Sequence, residues 1–346
     1  MFRANARRTG HYEVTGLPAR GRTRWKFAYP SGAGTPSTPL VLGDRIIAAD
    51  RGGVVTALEP KKGAALWTAN LGGETYSSPC AADGLVFIAT CAKTLAALDA
   101  QTGATRWSAP LGDATYASPV AADGLVVVGD HGGHLHAFDA SSGAPRWTLA
   151  FSGYQADGLA AYEGRVYFNS AGPGTPPTAG ALHCVELATG RLVYKVAAGD
   201  AWYSSACAIG GGRVYCPGGR SLKLHAIDLA TRAEAWSHAT GNVVVAAPAL
   251  AGDAVVFGSY DRALRALDAA TGQLRWSLAT RQIFLVGPSV AAGVVYAASG
   301  KELRAVDLAT GGELWLQKFP KDVSASPVPA DGALYVTLSD ALVALG

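Results

Sequence analysis

The pattern of apolar and polar positions between residues 115 and 148 predicts a run of short strands. Apolar or small residues fill each segment, and the pairs Asp123-Gly124 and Ser142-Gly143 between segments are strong tight-turn signals. A third turn is expected at 131–133, where a histidine precedes two glycines. The predicted strands are Thr115–Val120, Leu125–Val128, His134–Asp139 and Pro145–Thr148.

This unit repeats along the chain. The phrase from Ala96 to Trp107 returns with variations in every unit, and the aromatic residue that ends it recurs every 39 to 47 residues. A period near 40 residues with four short strands per unit is typical of a β-propeller. The aromatic positions are Trp25, Trp67, Trp107, Trp147, Tyr194, Trp236, Trp276 and Trp315.

The two ends of the chain predict how the ring closes. The last segment, Val323 to Leu345, supplies three strands and stops before any tryptophan, whereas Thr23 to Phe27 offers one unpaired strand that contains Trp25. Pairing these ends leaves no open edge. We therefore expect an all-β fold, an eight-bladed β-propeller of four-stranded blades, closed by an N-terminal strand that completes the last blade. The predicted division is a basic lead-in arm over 1–21 and a single propeller domain over 22–346.

Composition agrees with many tight turns, because the chain has 43 glycines and only 16% charged residues. The net charge of +3 does not favour nucleic acid as a partner. The basic residues cluster near the start, where Glu13 is the one acid in the first 26 residues. We expect a solvated arm there, and binding to an anionic surface is the alternative. The basic residues are Arg3, Arg7, Arg8, Arg20, Arg22, Arg24 and Lys26.

No membrane span or export signal is predicted. The uncharged run from Gln282 to Gly300 contains Gly287, Pro288 and Gly293 and coincides with a strand pair of the repeat. Polar and basic residues follow Met1 and Phe2, with no apolar stretch of the kind found in signal peptides. We therefore expect an extracytoplasmic location, periplasmic or secreted, if an export signal has been removed, and a cytoplasmic one otherwise.

The phrase Ala-x-Asp-x-x-Thr-Gly-x-x-x-Trp resembles the tryptophan-docking repeat of the pyrroloquinoline-quinone-like (PQQ-like) propellers, over roughly residues 22–346. The resemblance implies that each tryptophan packs between adjacent blades and is structural. Tyr194 departs from the pattern, as does Arg232, which replaces a turn glycine. Members of this family include the outer-membrane assembly lipoprotein, sensor modules of bacterial kinases and the quinoprotein dehydrogenases.

The cysteines argue against a quinone cofactor. The resemblance implies that a quinoprotein dehydrogenase carries an adjacent Cys-Cys pair beside the quinone, together with carboxylate and amide ligands for calcium. None of the five cysteines in this chain is adjacent to another, so we expect no cofactor. Cys207 and Cys216 fall opposite each other on neighbouring predicted strands, as buried free thiols or as a cross-strand disulfide.

The histidines at 131, 134 and 136 are the residues of the chain that most resemble a metal site. His134 and His136 lie on one side of a strand, and His131 lies in the preceding turn. However, the position of His136 is occupied by other polar residues in other repeats, which favours a structural role. We therefore expect no metal, with His131 and His134 as the residues to check.

The repeats differ most on one face, where the connections between blades and the loops between the second and third strands meet. Aromatic and polar residues around a funnel suit a small-molecule or peptide site, although large residues filling a wide channel would look the same. The enlarged loop from Ser170 to Gly180 belongs to this region. The predicted ligand-binding residues are Tyr76, Tyr116, Tyr154, Gln155, Trp202, Tyr203 and Phe284.

Two functions follow. The first is a non-catalytic binding scaffold that presents the aromatic channel mouth to a protein, peptide or small-molecule ligand, as a monomer. The second is an enzyme that uses the same funnel, in which carboxylates beside apolar rings have raised pKa values suited to acid–base work. The candidate catalytic residues are Glu74, Asp113, Asp200 and Asp322.

Overall fold

The computed structural model describes residues 3–14, 21–35, 37–151, 154–155, 158–171, 180–198, 206–330 and 332–346. These residues form strands and turns without any helix. Consequently, no helix in this part of the chain is long and apolar enough to cross a membrane.

The strands form eight sheets, and each sheet is one blade. Two strands precede the first blade, β1 (His11–Tyr12) and β2 (Thr23–Ala28). Blades 1 to 4 are built from β3 (Leu40–Leu42), β4 (Arg45–Ala49), β5 (Val54–Leu58) and β6 (Ala65–Asn70); β7 (Cys80–Ala82), β8 (Leu85–Thr90), β9 (Thr94–Asp99) and β10 (Thr105–Pro110); β11 (Val120–Ala122), β12 (Leu125–Gly129), β13 (His134–Asp139) and β14 (Pro145–Ala150); β15 (Tyr154–Gln155), β16 (Ala160–Tyr162), β17 (Arg165–Ala171), β18 (Gly180–Glu186) and β19 (Leu192–Ala198). Blades 5 to 8 are built from β20 (Ala208–Gly210), β21 (Arg213–Pro217), β22 (Lys223–Asp228) and β23 (Glu234–Ala239); β24 (Ala249–Ala251), β25 (Ala254–Gly258), β26 (Ala263–Asp268) and β27 (Leu274–Ala279); β28 (Ser289–Ala291), β29 (Val294–Ser299), β30 (Glu302–Asp307) and β31 (Glu313–Lys318); β32 (Val328–Ala330), β33 (Ala333–Thr337) and β34 (Ala341–Leu345).

The burial of each strand follows its place in the blade. The two middle strands, such as β8 and β9, are buried along almost their whole length because neighbouring blades cover both of their faces. The outer strands, such as β6, alternate between exposed and half-buried residues because they lie on the rim. The middle strands therefore read as continuous apolar runs, and the outer strands as alternating ones.

The predicted closure of the ring is confirmed. Strand β2 pairs antiparallel with β34, with Trp25 opposite Ala344, and thereby adds the fourth strand to blade 8.

One strand of the predicted unit begins later than expected. Strand β11 starts at Val120, although the sequence predicted a strand from Thr115. The residues before it bond to neighbouring blades instead of their own, since Ser118 accepts a hydrogen bond from the Ser78 amide at 2.9 Å and bridges to Gly158 in parallel. The other three predicted strands of this blade match β12, β13 and β14 to within two residues.

The tryptophans dock between blades. The Trp107 indole N–H donates to the carbonyl of Ala140 in the next blade at 3.0 Å. Gly143 lies beneath the indole with φ +73, and a Cβ there would be 2.6 Å from the ring, so both the backbone and the contact require glycine. The same indole-to-carbonyl bond is made by Trp25, Trp67, Trp147, Trp236 and Trp276.

Blade 4 departs from this arrangement at both the docking aromatic residue and the turn residue that faces it. Its docking residue is Tyr194, and the facing turn of blade 5 has Arg232, with φ +59, in place of glycine. The Arg232 guanidinium lies over the Tyr194 ring, 5.1 Å from its centroid. The smaller aromatic residue leaves room for the arginine, and the contact between them is a cation–π interaction.

Candidate functional site

Residues 3–14, here called the axial segment, follow the innermost strands around part of the ring. Backbone carbonyls of this segment accept N–H bonds from the three-residue strands β16, β20, β24 and β28 of blades 4, 5, 6 and 7. Strand β1, which lies within the segment, pairs in parallel with β28. The donor and acceptor pairs are Ala161 to Ala6 at 2.8 Å, Ile209 to Arg7 at 2.9 Å, Leu250 to Thr9 at 2.7 Å and Val290 to Gly10 at 2.8 Å.

Two arginines of the axial segment are fully buried, so the expectation that they are solvated is wrong for Arg3 and Arg8. Arg8 donates to the carbonyls of Leu159 and Pro119 at 2.7 and 2.8 Å. Inner strands have no further strand beside them, and a guanidinium has five donors to satisfy their carbonyls. Burial lowers the pKa of both arginines from 12.5 to about 10, which leaves them cationic at neutral pH.

Arg3 reaches blades 6, 7 and 8 in the same way. It donates to the carbonyls of Pro248 and Pro288 at 2.6 and 3.2 Å, and to the Ser326 hydroxyl at 3.1 Å. Its Nε atom has no hydrogen-bond partner among the described residues, and Arg3 forms no salt bridge with any of them. Arg3 is therefore a buried cation without an acidic partner in the described part of the chain.

Each blade contributes one small residue to a ring, and two of these residues, Gly287 and Ser326, adjoin Arg3. Each ring residue lies two positions before the three-residue strand of its blade, which is β16 in blade 4. The ring has a hydroxyl arc in blades 8, 1, 2 and 3 and an apolar arc in blades 4 to 7. In this small-residue ring, the Ser78 hydroxyl accepts a hydrogen bond from the Thr38 amide, and the Ser118 hydroxyl accepts one from the Ser78 amide, each at 2.9 Å. Both hydroxyls therefore keep their own protons free to donate. The ring consists of Thr38, Ser78, Ser118, Gly158, Ala206, Ala247, Gly287 and Ser326.

A pocket of about 360 Å³ lies above the ring and Arg3. Its wall includes the paired rings of Tyr76 and Tyr116, whose centroids are 4.6 Å apart, and Leu285. Tyr116 is 44% exposed and Leu285 is 57% exposed, so apolar surface is open to solvent at the mouth. Among the described residues that line this pocket, here called the mouth pocket, Arg3 is the one charged residue. The pocket thus combines apolar walls with a cationic floor.

The structure brings together part of the predicted ligand-binding set. Tyr76 and Tyr116 line the mouth pocket. Phe284 does not, because its side chain is fully buried against Gly258, and the neighbouring Leu285 faces the pocket instead. The side chains of Tyr154 and Gln155, the residues Trp202 and Tyr203, and most of the loop from 170 to 180 lie outside the described residues.

The predicted catalytic carboxylates do not line the mouth pocket where they are described. Glu74 lies 3.8 Å from Arg51 and Asp113 lies 3.0 Å from Lys93, and the side chains of both pairs are exposed. The hydrogen bond from Lys93 lowers the pKa of Asp113, whereas acid–base work was expected to need a raised one. Asp322 is exposed, and Asp200 lies outside the described residues.

The histidines near this face have separate contacts. The His131 ring meets the edge of Tyr116, with centroids 4.5 Å apart. His134 and His136 instead face the buried carboxylate of Asp130, which the sequence did not single out. The position of His136 is bonded locally in other blades as well, as in the 2.8 Å contact of His183 with Ser170.

Comparison with known proteins identifies the family. The model of the family described as outer membrane protein assembly factor BamB matches residues 11–121, 92–175, 178–283 and 281–345. The chain belongs to the BamB family. A search of the curated proteins found none that matches it.

Solved structures share the fold at low sequence identity. BamB from Moraxella catarrhalis is 20% identical, with a TM-score of 0.75, and covers 94% of this chain and 96% of its own. A europium-containing methanol dehydrogenase is 16% identical, with a TM-score of 0.83, over 97% of this chain and 88% of its own. The computationally designed Ika8 protein is 14% identical, with a TM-score of 0.82. At these identities the likeness concerns the fold alone.

The mouth pocket of this BamB-family chain does not fit a quinone held with calcium. Calcium takes carboxylate, carbonyl and amide oxygens, but the described lining residues include no Asp, Glu, Asn or Gln. None of the five cysteines lies in this lining either.

The cysteine pair forms a buried contact between strands. Cys207 and Cys216 are free and fully buried, and their sulfur atoms are 3.0 Å apart. Burial raises the pKa of the Cys216 thiol well above its usual value.

Proposed function

We propose that this chain is a binding propeller whose mouth pocket holds an apolar group that bears a carboxylate, such as the C-terminal residue of a protein or peptide. The observation that supports this most directly is Arg3, a buried cation without a described acidic partner at the floor of an open, apolar-walled pocket. An unpaired buried cation favours a nearby anion, because burial weakens the screening of its charge.

The two kinds of surface have distinct roles in this proposal. Tyr76, Tyr116 and Leu285 offer apolar contact area, whose burial supplies most of the affinity. The Ser78 and Ser118 hydroxyls have protons to donate, and with Arg3 they would orient a carboxylate at the floor. A neutral ligand of the same shape would keep the apolar contacts and lose the charge-assisted hydrogen bonds.

The family supports a protein partner for this pocket. Its description names the assembly of outer membrane proteins, and a β-propeller can present loops and a channel mouth to such a partner. We accordingly propose a location outside the cytoplasm. The dehydrogenases that share the fold leave an enzymatic role as the alternative, but the described carboxylates give it no assembled acid–base pair.

Titration calorimetry with N-acetylphenylalanine and with its carboxamide tests the proposal, because the two probes have nearly the same shape and the amide lacks the negative charge. A ligand of this size should bind with about 0.3 kcal/mol per heavy atom, which corresponds to a Kd of roughly 0.5 mM. We expect the carboxamide to bind at least ~10-fold more weakly, since it loses the charge-assisted contacts.

Substitutions then locate the site. Tyr116→Ala should weaken binding of N-acetylphenylalanine by ~10-fold, because it removes an exposed ring from the wall. Leu192→Ala, at an exposed apolar residue that is not part of the pocket, is the matched control and should leave the Kd unchanged. Equal binding of the two probes, or equal effects of the two substitutions, would refute the proposal.

A further inference from the structure

Blade 3 brings three metal-ligating side chains together at the end of β12 and the start of β13. Asp130 is fully buried, and one of its oxygens lies 2.8 Å from His136 Nε2. Its other oxygen lies 3.4 Å from His134 Nδ1. The three donor atoms all lie within 4.8 Å of one another. In a tetrahedral or octahedral site with bonds of about 2.1 Å, ligand atoms are roughly 3 to 3.5 Å apart, so the cluster is close to that size.

The equivalent place in blade 1 shows what the aspartate does without histidines. Asp50 accepts the Val54 amide at 3.0 Å and the Ser31 amide at 3.1 Å. Asp130 accepts the corresponding amides of His134 and Asp113 at the same two distances. In both blades the aspartate therefore links, through two hydrogen bonds, the turn between the second and third strands to the segment that enters the blade.

The two histidines of blade 3 are not needed for this link. The residues of blade 1 that correspond to His134 and His136 are Val54 and Thr56, so the shared link does not need imidazoles. His136 contacts Asp130 as His183 contacts Ser170 in blade 4, so the repeat accounts for that imidazole. The repeat does not account for the second imidazole, His134, which faces the same buried carboxylate from the same side of the strand.

Two further observations point to a ligand between these groups. His134 Nδ1 is buried and has no hydrogen-bond partner among the described residues. The backbone also leaves space there: a Cβ on Gly112 would lie 2.9 Å from Asp130 Oδ2, 3.7 Å from His134 Nδ1 and 4.0 Å from the His136 ring. The residue of blade 1 that corresponds to Gly112 is Pro30. Gly72 and Gly241 occupy the same position before blades 2 and 6, but the sequence combines this glycine with the aspartate and two histidines in blade 3 alone.

The orientation of His136 also suits a ligand. Its Nδ1 contacts the Thr148 hydroxyl at 3.3 Å, while Nε2 faces Asp130. Histidines that bind metals characteristically bond through the second ring nitrogen, which fixes the ring. Here Nδ1 has the partner outside the cluster, and Nε2 is the nitrogen that faces the cluster.

We propose that Asp130, His134 and His136 bind one divalent first-row transition-metal ion, with Zn²⁺ as the reference ion. Two imidazoles and one carboxylate are ligands that Zn²⁺ and its neighbours accept, and hard ions such as Ca²⁺ prefer an all-oxygen set. His134 is 39% exposed, so the remaining coordination positions would face solvent. The site is independent of the mouth pocket, because none of its ligands lines that pocket.

The test uses the full chain without an affinity tag, stripped with a chelator and returned to chelator-free buffer. Zn²⁺ is titrated against a chromophoric chelator, and the metal content after gel filtration gives the stoichiometry. We expect about one Zn²⁺ per chain, and Co²⁺ should give a visible absorption band from the same site. Absence of Zn²⁺ binding by the stripped wild-type chain would overturn the proposal.

The decisive variant is His134→Val together with His136→Thr, which installs the residues of blade 1 and so keeps a set that the fold already accommodates. It should weaken Zn²⁺ binding by at least ~100-fold, which is the upper end of the loss seen when only an outer-shell partner is removed. His131→Asn is the matched control and should bind Zn²⁺ like the wild type, because His131 contacts Tyr116 instead of the cluster. Retention of one tight Zn²⁺ by the double variant, or its loss in the control, would contradict the assignment.

Discussion

Replacing Tyr194 with tryptophan should destabilise the propeller unless Arg232 is replaced by glycine as well. At six other interfaces a tryptophan packs on a turn glycine, and a Cβ on that glycine would lie 2.5 to 2.7 Å from the indole. Arg232 supplies a Cβ and a long side chain at this place. Overpacking of this kind costs about 1–3 kcal/mol, and displacing the guanidinium from the ring costs a further ~0.5–1 kcal/mol.

The double variant should recover that loss. Glycine at 232 removes the clash and accepts the positive φ of +59 without strain, and the new indole N–H can reach the carbonyl of Leu229, as Trp147 reaches that of Leu187 at 2.8 Å. Arg232→Gly alone should be close to neutral, because lost cation–π attraction and relieved strain are both about 1 kcal/mol. The expected coupling between the two sites is therefore about 1.5–4 kcal/mol.

Thermal unfolding followed by circular dichroism measures this coupling. At about 2 °C per kcal/mol for a large domain, Tyr194→Trp should lower Tm by roughly 3–8 °C, and the double variant should return to within about 2 °C of wild type. Additive shifts in Tm from the two single variants would refute the idea that Tyr194 and Arg232 are a matched pair.

Two further predictions concern the mouth pocket. Binding of N-acetylphenylalanine should be constant between about pH 5 and 9 and should weaken below the carboxyl pKa of roughly 3.5. It should weaken again as the pH rises through about 10, where Arg3 loses its proton. Titration calorimetry across this range measures the profile, and a profile that is flat up to pH 11 would contradict the role of Arg3. Gly287→Ala should destabilise the protein by about 1–3 kcal/mol, because the added Cβ would overlap the Arg3 guanidinium; thermal unfolding measures this against Gly312→Ala, where the nearest atom would be 3.3 Å away.

Much of the fold is readable from the sequence because each blade repeats one compact set of signals. Trp107 and Gly143 illustrate this: the aromatic residue and the turn glycine are neighbours in space, and both recur with the period of the blade. The closing strand around Trp25 was predictable for the same reason, since an unpaired strand at one end matched a missing strand at the other. The first strand of the blade was less predictable, because Ser118 bonds to the blades beside it.

The axial segment was missed because its contacts have no local signature. Arg3 and Arg8 look like part of a solvated basic arm, and their partners are carbonyls more than 100 residues away. A signal that could have found them is the small-residue ring, since small side chains at every blade leave the axis open for something else. The sequence indicated only part of the Asp130 cluster. The histidines were identified as possible metal ligands, but the aspartate was not, because it occupies the same repeat position as the structural Asp50 of blade 1.

The most direct test of the proposed function is the position of a bound ligand. Crystals soaked with N-acetyl-4-bromophenylalanine should show an anomalous bromine peak beside Tyr76, Tyr116 and Leu285, with the carboxylate directed to the floor formed by Arg3 and the small-residue ring. The carboxamide of the same probe, at the same concentration, should give a much weaker peak there. A bromine peak elsewhere on the propeller, or equal peaks for the acid and the amide, would contradict the assignment of the mouth pocket as a carboxylate-binding site.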